Sequence, residues 1–409
     1  MPNRESNSLH DAQLRALAAR HGTPLYVYDG ATIEQRVRDL AGFDVVRFAQ
    51  KANSNLAVLA LLKRLGCQVD AVSAGEIERA LRAGFAPHEI VFTADLFDRA
   101  ALDAVARLPV EVNCGSPFML EQLARVRPRA SVTLRVNPGF GHGHDRKVNT
   151  GGETSKHGIW HTELPAAVAR ARELGLVVRG IHVHIGSGAD LENLERVRGA
   201  LAELAPLAGP DLALLSVGGG LPIPYREDEE RIDVARFTLA WRATQRALEQ
   251  RLGRSLVLEV EPGRFLVAES GVLLTEVRGE KRTGAVRYVL VDAGFHNLVR
   301  PAMYGAYHRI TALTHAGVGP ATPAVVAGPL CESADVFTQT KDGELDPQLL
   351  PPLSEGDLLC VHAAGAYGMS MASNYNSQPL AAEVLVDRGE ARLVRRRQTL
   401  DELLSSESA

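Results

Sequence analysis

The sequence predicts an α/β protein: a (β/α)8 barrel of the TIM type followed by a C-terminal β-rich domain. Three observations lead there. From Val45 onward, short apolar runs alternate with amphipathic helical stretches eight times over about 220 residues, the rhythm of a barrel. No G-x-G-x-x-G turn follows the first of those runs, so the rival doubly wound sheet lacks its usual signature. After Arg264 the pattern changes to strands with little helix between them.

The elements follow in order. Residues 8–21 read as a helix, with Ser8 as its N-cap and Gly22 just past its end. Leu25-Tyr26-Val27-Tyr28 is a short strand, assigned to the later β-rich domain, and 31–40 is a helix. Barrel strands are expected at 45–50, 69–73, 90–94, 110–114, 132–137, 180–187, 212–217 and 256–261. Helices are expected near 56–65, 76–83, 98–107, 117–126, 164–174, 190–206 and 234–252. Strands at 272–277, 288–292, 324–327, 357–362, 382–386 and 391–394 complete the β-rich part. The expected domains are thus 30–265 for the barrel, and 1–29 with 266–409 for the β-rich domain.

Composition excludes several classes. A net charge of −4 gives no electrostatic case for nucleic acid or an anionic membrane. Apolar runs of about seven residues fall far short of the roughly 18 that a membrane span needs. The opening Met1-Pro2-Asn3-Arg4-Glu5 has no apolar signal core, which points to the cytoplasm. Cys67, Cys114, Cys331 and Cys360 are scattered without a CxxC pair, so neither disulfides nor structural zinc are expected.

In a TIM-type barrel, chemistry belongs at the C-terminal ends of the strands. There the sequence places Lys51, Asp70, Ser73, Asn113, Arg135, Asn137, His182, His184, Gly218-Gly219-Gly220, Glu261 and Arg264. Any one of these could be an ordinary polar loop start; the run of them is harder to dismiss. Lys51 stands out because the chain has six lysines against 39 arginines. An amine can form a Schiff base with an aldehyde, and a guanidinium cannot. The stretch 139–157, with His142, His144 and His157, lacks the i, i+4 spacing of a helical metal site and reads as a flexible lid.

Three features suit a phosphate. The triple glycine Gly218–Gly220 lets backbone amides approach an anion. Arg264, in Glu261-Pro262-Gly263-Arg264, offers a planar fork, and Ser187 offers a hydroxyl. Glu261 could simply pair with Arg264. Set against a pyridine nitrogen it would keep that nitrogen protonated, making the ring a strong electron sink. His184 could stack on such a ring or be a hydrogen-bonded core histidine.

Taken together, the motifs Phe48-Ala49-Gln50-Lys51-Ala52, His182-Val183-His184-Ile185-Gly186-Ser187, Gly218–Gly220, Glu261-Pro262-Gly263-Arg264, Arg300-Pro301-Ala302-Met303-Tyr304, Gly328-Pro329-Leu330-Cys331-Glu332-Ser333 and Gly365-Ala366-Tyr367 resemble those of the fold-type III pyridoxal-phosphate decarboxylases. Within that family the chain is similar to the diaminopimelate decarboxylases. Ser155-Lys156-His157-Gly158 resembles one bacterial branch. The resemblance implies pyridoxal 5'-phosphate as cofactor and decarboxylation of meso-2,6-diaminopimelate to L-lysine, the last step of lysine biosynthesis. It implies that Lys51 carries the cofactor, that Glu261 pairs with its ring nitrogen and that His184 stacks on the ring. Ser187, Gly218, Gly219, Gly220, Arg264 and Tyr367 would hold the phosphate side. Arg264, Arg300, Tyr304, Glu332 and Tyr367 would meet substrate, and Cys331 would return a proton to the α-carbon. It also implies a homodimer in which the Cys331-Glu332 segment comes from the second subunit.

The chemistry agrees with that reading. A substrate with an amino acid group at each end needs a second recognition site: Arg300 can take the distal carboxylate as a fork, and Glu332 the distal ammonium. A thiol can donate a proton near neutral pH, although a structural thiol is the blander reading of Cys331. An ornithine or arginine decarboxylase would find Arg300 repulsive. A racemase of this barrel type usually sets an arginine where Glu261 stands. A non-catalytic vitamin-B6-binding or regulatory relative would have no use for Lys51 and Cys331.

Overall fold

A computed structural model of the chain describes residues 9–141, 150–186, 191–314 and 319–408. Its contacts divide the chain into two compact units, one of Gln35–Ile223 with Arg231–Phe265, the other of Met1–Glu34, Pro224–Glu230 and Leu266–Ala409.

In chain order the first strands are β1 (Leu25–Asp29), β2 (Val45–Ala49), β3 (Gln68–Ala71), β4 (Ile90–Ala94), β5 (Glu111–Cys114), β6 (Ser131–Asn137), β7 (Ile159–Trp160), β8 (Val177–Val183), β9 (Leu214–Ser216) and β10 (Val257–Val260). Eight of them form a closed parallel barrel, β2-β3-β4-β5-β6-β8-β9-β10, in which β10 pairs with β2; β7 is an extra strand on β6. Closure leaves no open edge. Phe48, Val69, Phe92, Leu134, Ile181 and Leu258 are buried on the outer, helix-covered face, and they alternate with the inward Arg47, Asp70, Arg135, His182 and Glu259. Helices on the outside start where the sequence offers caps. Asn55, Ser73, Asp98 and Asp233 each accept a backbone N–H of the first turn, worth about 1 kcal/mol apiece. The first helix runs over Asp11–His21 from His10, with no side-chain cap, and Gly22 follows it at φ +71°. Ser8 lies outside the described residues.

The second unit is a nine-stranded mixed sheet. After β1 come β11 (Gly271–Thr283), β12 (Val286–Val291), β13 (Ile310–Ala312), β14 (Thr322–Ala327), β15 (Gln348–Leu350), β16 (Leu358–Val361), β17 (Ala382–Asp387) and β18 (Glu390–Arg395). Their order is β15-β14-β12-β11-β1-β17-β18, with β16 pairing β11 and β13. The N-terminal strand β1 is buried along its whole length between β11 and β17, as its unbroken Leu-Tyr-Val-Tyr run requires. The segment Pro224–Glu230 groups with this sheet because Arg226 stacks on Tyr307 (4.0 Å) and pairs with Asp346 (2.9 Å). Among the described residues no helix is long and apolar enough to cross a membrane.

Candidate active site

In the barrel unit, the chain after β2 turns through a short 3-10 helix, Gln50–Ala52, that carries Lys51 exposed at the strand's C-terminal end. Two neighbours hold that turn. Ala49 donates its N–H to the carbonyl of Pro262 (3.1 Å), so the Glu-Pro-Gly-Arg segment lies against the end of β2. A Cβ on Gly263 would sit 3.3 Å from those of Ala49 and Ala52. Arg264, the first residue of the next short helix, is buried.

Glu261 follows β10 directly and is buried. Its Oε2 accepts from His182 Nε2 at 2.8 Å, and its Oε1 accepts from the Ser216 hydroxyl at 3.1 Å. Burial alone would raise its pKa. The charge and hydrogen bond of His182, with help from Arg47, overcome that and hold the carboxyl well below the usual range. Nearby Asp70, at the end of β3, shows the opposite outcome. Burial and repulsion from Glu261 push it up to about 7 despite the Lys51 ammonium. Of the two interior carboxylates at this end, Glu261 keeps the charge.

The triple glycine packs onto the same group. Glu261 donates its N–H to the Gly218 carbonyl (2.8 Å), and a Cβ on Gly219 would fall 2.3 Å from the Glu261 carbonyl oxygen. Gly218 and Gly220 have φ of +65° and +101°, and side chains there would strike the backbone of Val183 and Gly186. Only glycine fits this turn. His184 closes it: its Nδ1 accepts from the Gly219 N–H (3.3 Å), so the ring is neutral there. Burial and the charges of Arg135 and Lys51 keep its pKa well below the ordinary value. Ser187, as well as 142–149 with His142 and His144, lies outside the described residues. The rest of the expected lid stretch is tied to strand ends. Asp95 after β4 bonds His157 Nδ1 (2.5 Å) and the Gly158 N–H (2.8 Å), and Asn137 at the end of β6 bonds both faces of Gly152. Among the described residues no group of His, Cys, Asp and Glu could hold a metal ion.

In the β-rich unit, Arg300 and Tyr304 open and close the short helix Arg300–Tyr304; Arg300 is only 1% exposed. Cys331 and Glu332 are exposed on the turn after β14. Asp335, which sequence reasoning missed, shapes that turn: its carboxylate accepts from the N–H groups of Leu330 (2.8 Å) and Phe295 (2.7 Å). The Cys331 N–H is held by Asn376 Oδ1 (2.9 Å). Glu332 lines a cavity of about 300 Å³ with Lys281, Tyr288 and Ser333. Tyr367 sits at φ +57°, a left-handed conformation costing a tyrosine about 1 kcal/mol, and such strain clusters at functional sites.

Comparison with known proteins gives these groups a common context. The family model described as pyridoxal-dependent decarboxylase, pyridoxal binding domain, matches residues 31–268. Diaminopimelate decarboxylase of Escherichia coli K12 is 53% identical over 402 residues, 96% of each chain. That of Streptomyces coelicolor is 52% identical over 407 residues, 98% of this chain and 92% of its own. A crystal structure of diaminopimelate decarboxylase matches with a TM-score of 0.94 at 52% identity, covering 98% of this chain and 97% of the other. The Helicobacter pylori enzyme, solved with L-lysine, gives 0.86 at 33% identity over 96% and 98% of the two chains. The chain therefore belongs to the pyridoxal-dependent decarboxylase family and, within it, to the diaminopimelate decarboxylases.

Pyridoxal phosphate is accordingly the cofactor, and the barrel residues fit it. An exposed amine stands at one strand end, an ionised buried carboxylate follows the neighbouring strand, and a glycine turn that no Cβ could share lies beside them. That donor set suits an aldehyde, a basic ring nitrogen and a phosphate.

Proposed function

We propose that this chain removes CO2 from meso-2,6-diaminopimelate to give L-lysine, the last step of lysine biosynthesis, as a cytoplasmic homodimer. The observation that carries the chemistry is Glu261: a buried carboxylate kept ionised by His182, where a bare pyridine would otherwise lose its proton. The substrate follows from the diaminopimelate decarboxylases that the chain matches along its whole length. An ornithine- or arginine-type activity is disfavoured by Arg300, and a non-catalytic relative by the retention of Lys51 and Cys331.

Each residue then has a task. Lys51 would hold the cofactor through its amine, and the neutral His184 would stack on its ring. Ser187, Gly218, Gly219, Gly220, Arg264 and Tyr367 bind the phosphate side. When bound, pyridoxal phosphate draws electrons from the bond to the departing carboxylate. Arg300 takes the far carboxylate of the substrate as a fork, Glu332 the far ammonium, and Arg264, Tyr304 and Tyr367 line the remaining length. The C–C bond to the carboxylate breaks, CO2 leaves, and the pair left on the carbon takes a proton from the thiol of Cys331 of the partner subunit. On this reading residues 30–265 bind the cofactor, and 1–29 with 266–409 complete the site.

Borohydride reduction of the yellow holoenzyme, followed by peptide mapping, tests the attachment: the label belongs on Lys51, and a label on another lysine contradicts the reading. Mixing Lys51→Ala chains with Cys331→Ala chains tests the shared site. Random pairing makes about half the dimers mixed, each with one intact site, so about a quarter of wild-type activity per protomer should return. No recovery in samples shown to contain mixed dimers would mean that each chain builds its site alone.

A further inference from the structure

Among the groups around Arg300 are two residues that neither the motifs nor the family comparison single out. Its Nη1 lies 2.8 Å from His308 Nε2. A guanidinium can only donate, so Nε2 is the bare nitrogen and the ring proton sits on Nδ1. That proton goes to the His362 carbonyl oxygen at 2.9 Å. The imidazole is thus fixed in one tautomer and one orientation, and both derive from the sheet. His308 leads into β13, which pairs antiparallel with β16, and His362 follows β16. Gln348 on β15 fixes the entry to β13, donating to the His308 carbonyl (2.7 Å) and accepting from the Ile310 N–H (2.8 Å). On another side, the Tyr225 ring lies 4.9 Å from the Arg300 guanidinium carbon and meets the His308 ring edge-on at 5.5 Å. His308 is fully buried and Arg300 nearly so.

We propose that His308 and Tyr225 are positioning residues that aim the Arg300 fork, and so set the requirement for a carboxylate at the far end of the substrate. The inference rests on the proposed role of Arg300 as the clamp for that carboxylate. The chemistry of the holder matters. A neutral imidazole fixes the plane of the guanidinium while adding no negative charge, so the pull on an incoming carboxylate is kept. A carboxylate in its place would orient the arginine equally well but compete with the substrate. The tyrosine face restrains the group through its ring electrons, again without cancelling its charge. An arginine without these two contacts would keep its charge but hold less firmly the plane on which a two-point contact depends.

L-Lysine and cadaverine differ by one carboxylate, so their binding to the holoenzyme, measured by calorimetry, isolates this effect. His308→Leu should weaken L-lysine about tenfold, the size of one hydrogen bond to a charged group, and cadaverine by about twofold or less. His308→Gln, which keeps an acceptor, should recover most of the loss. Combined with Arg300→Leu, His308→Leu should cost nothing further. Equal weakening of both ligands by His308→Leu, or unchanged L-lysine binding, overturns the proposal. If His308→Leu fails to fold, Tyr225→Leu is judged by the same ratio. Arg300→Leu separates the two levels. If it leaves the L-lysine preference intact, the clamp itself is misassigned; if it abolishes the preference while the His308 and Tyr225 variants do not, only the positioning role fails.

Discussion

Glu259 and Glu261 stand two residues apart at the end of one barrel strand, face the same side and are both buried (2% and 7% exposed), yet they titrate in opposite directions. Burial pushes Glu259 up to about 7; Arg47 pulls against this, and repulsion from Glu261 and Glu111 adds to it. Arg47 is shared, at 2.7 Å from Glu259 and 2.8 Å from Glu111, so Glu259 does not have it to itself. Glu261 meets the same burial, but His182 and Ser216 serve it directly, and it stays charged. The lesson is that burial alone does not set the state of an interior carboxylate. What decides is how many donors it has to itself, and the barrel concentrates those donors at the end where the cofactor belongs.

The sharpest way to break this comparison is to neutralise each acid in turn. Glu261→Gln should lower kcat by about 10²–10³, the usual loss for a positioned electrostatic partner, with folding intact. Glu259→Gln should leave kcat within about twofold, because its carboxyl already carries a proton much of the time near pH 7. Equal losses in the two variants would erase the distinction.

A smaller effect, on stability rather than rate, is expected at Arg47. Arg47→Met strips the shared cation from two carboxylates and should cost about 1–3 kcal/mol in urea unfolding, the penalty of leaving the buried Glu259 without its donor while it takes up a proton. A loss below about 1 kcal/mol would place the pair among weak surface bridges.

The smallest effect is a slope. Glu259 binds its proton more tightly folded than unfolded, so its contribution to stability is complete below its unfolded pKa of about 4.5. It is lost as pH rises through about 7, by at most about 1.4 kcal/mol per pH unit. Asp70 acts with the same sign. Urea midpoints between pH 5 and 7 should fall less steeply in Glu259→Gln than in the native chain. Parallel lines would contradict the raised pKa.

Much of this was legible in the sequence, for physical reasons that differ by element. The barrel strands announce themselves because a strand covered on both faces tends toward an apolar run, as Ile90-Val91-Phe92 is. Their polar endpoints, among them Lys51, Glu261 and the triple glycine, mark the mouth. Strands of two or three residues such as Ile159–Trp160, Ile310–Ala312 and Gln348–Leu350 show no period and exist only because a neighbour pairs with them. Arg47 was visible as one charge in an apolar run, but its two partners lie on other strands. His182 was visible at the mouth without its role, because the bond to Glu261 spans 79 positions. His308 and Tyr225 carry no local signal at all; their significance comes from the guanidinium that both touch.

The most direct measurement is the ring-nitrogen ¹⁵N NMR signal of labelled pyridoxal phosphate bound to the native chain, to Glu259→Gln and to Glu261→Gln. The ionised Glu261 described above requires a protonated nitrogen in the first two and an unprotonated one in the third. A bare nitrogen in the native enzyme, or a protonated one in Glu261→Gln, would contradict it.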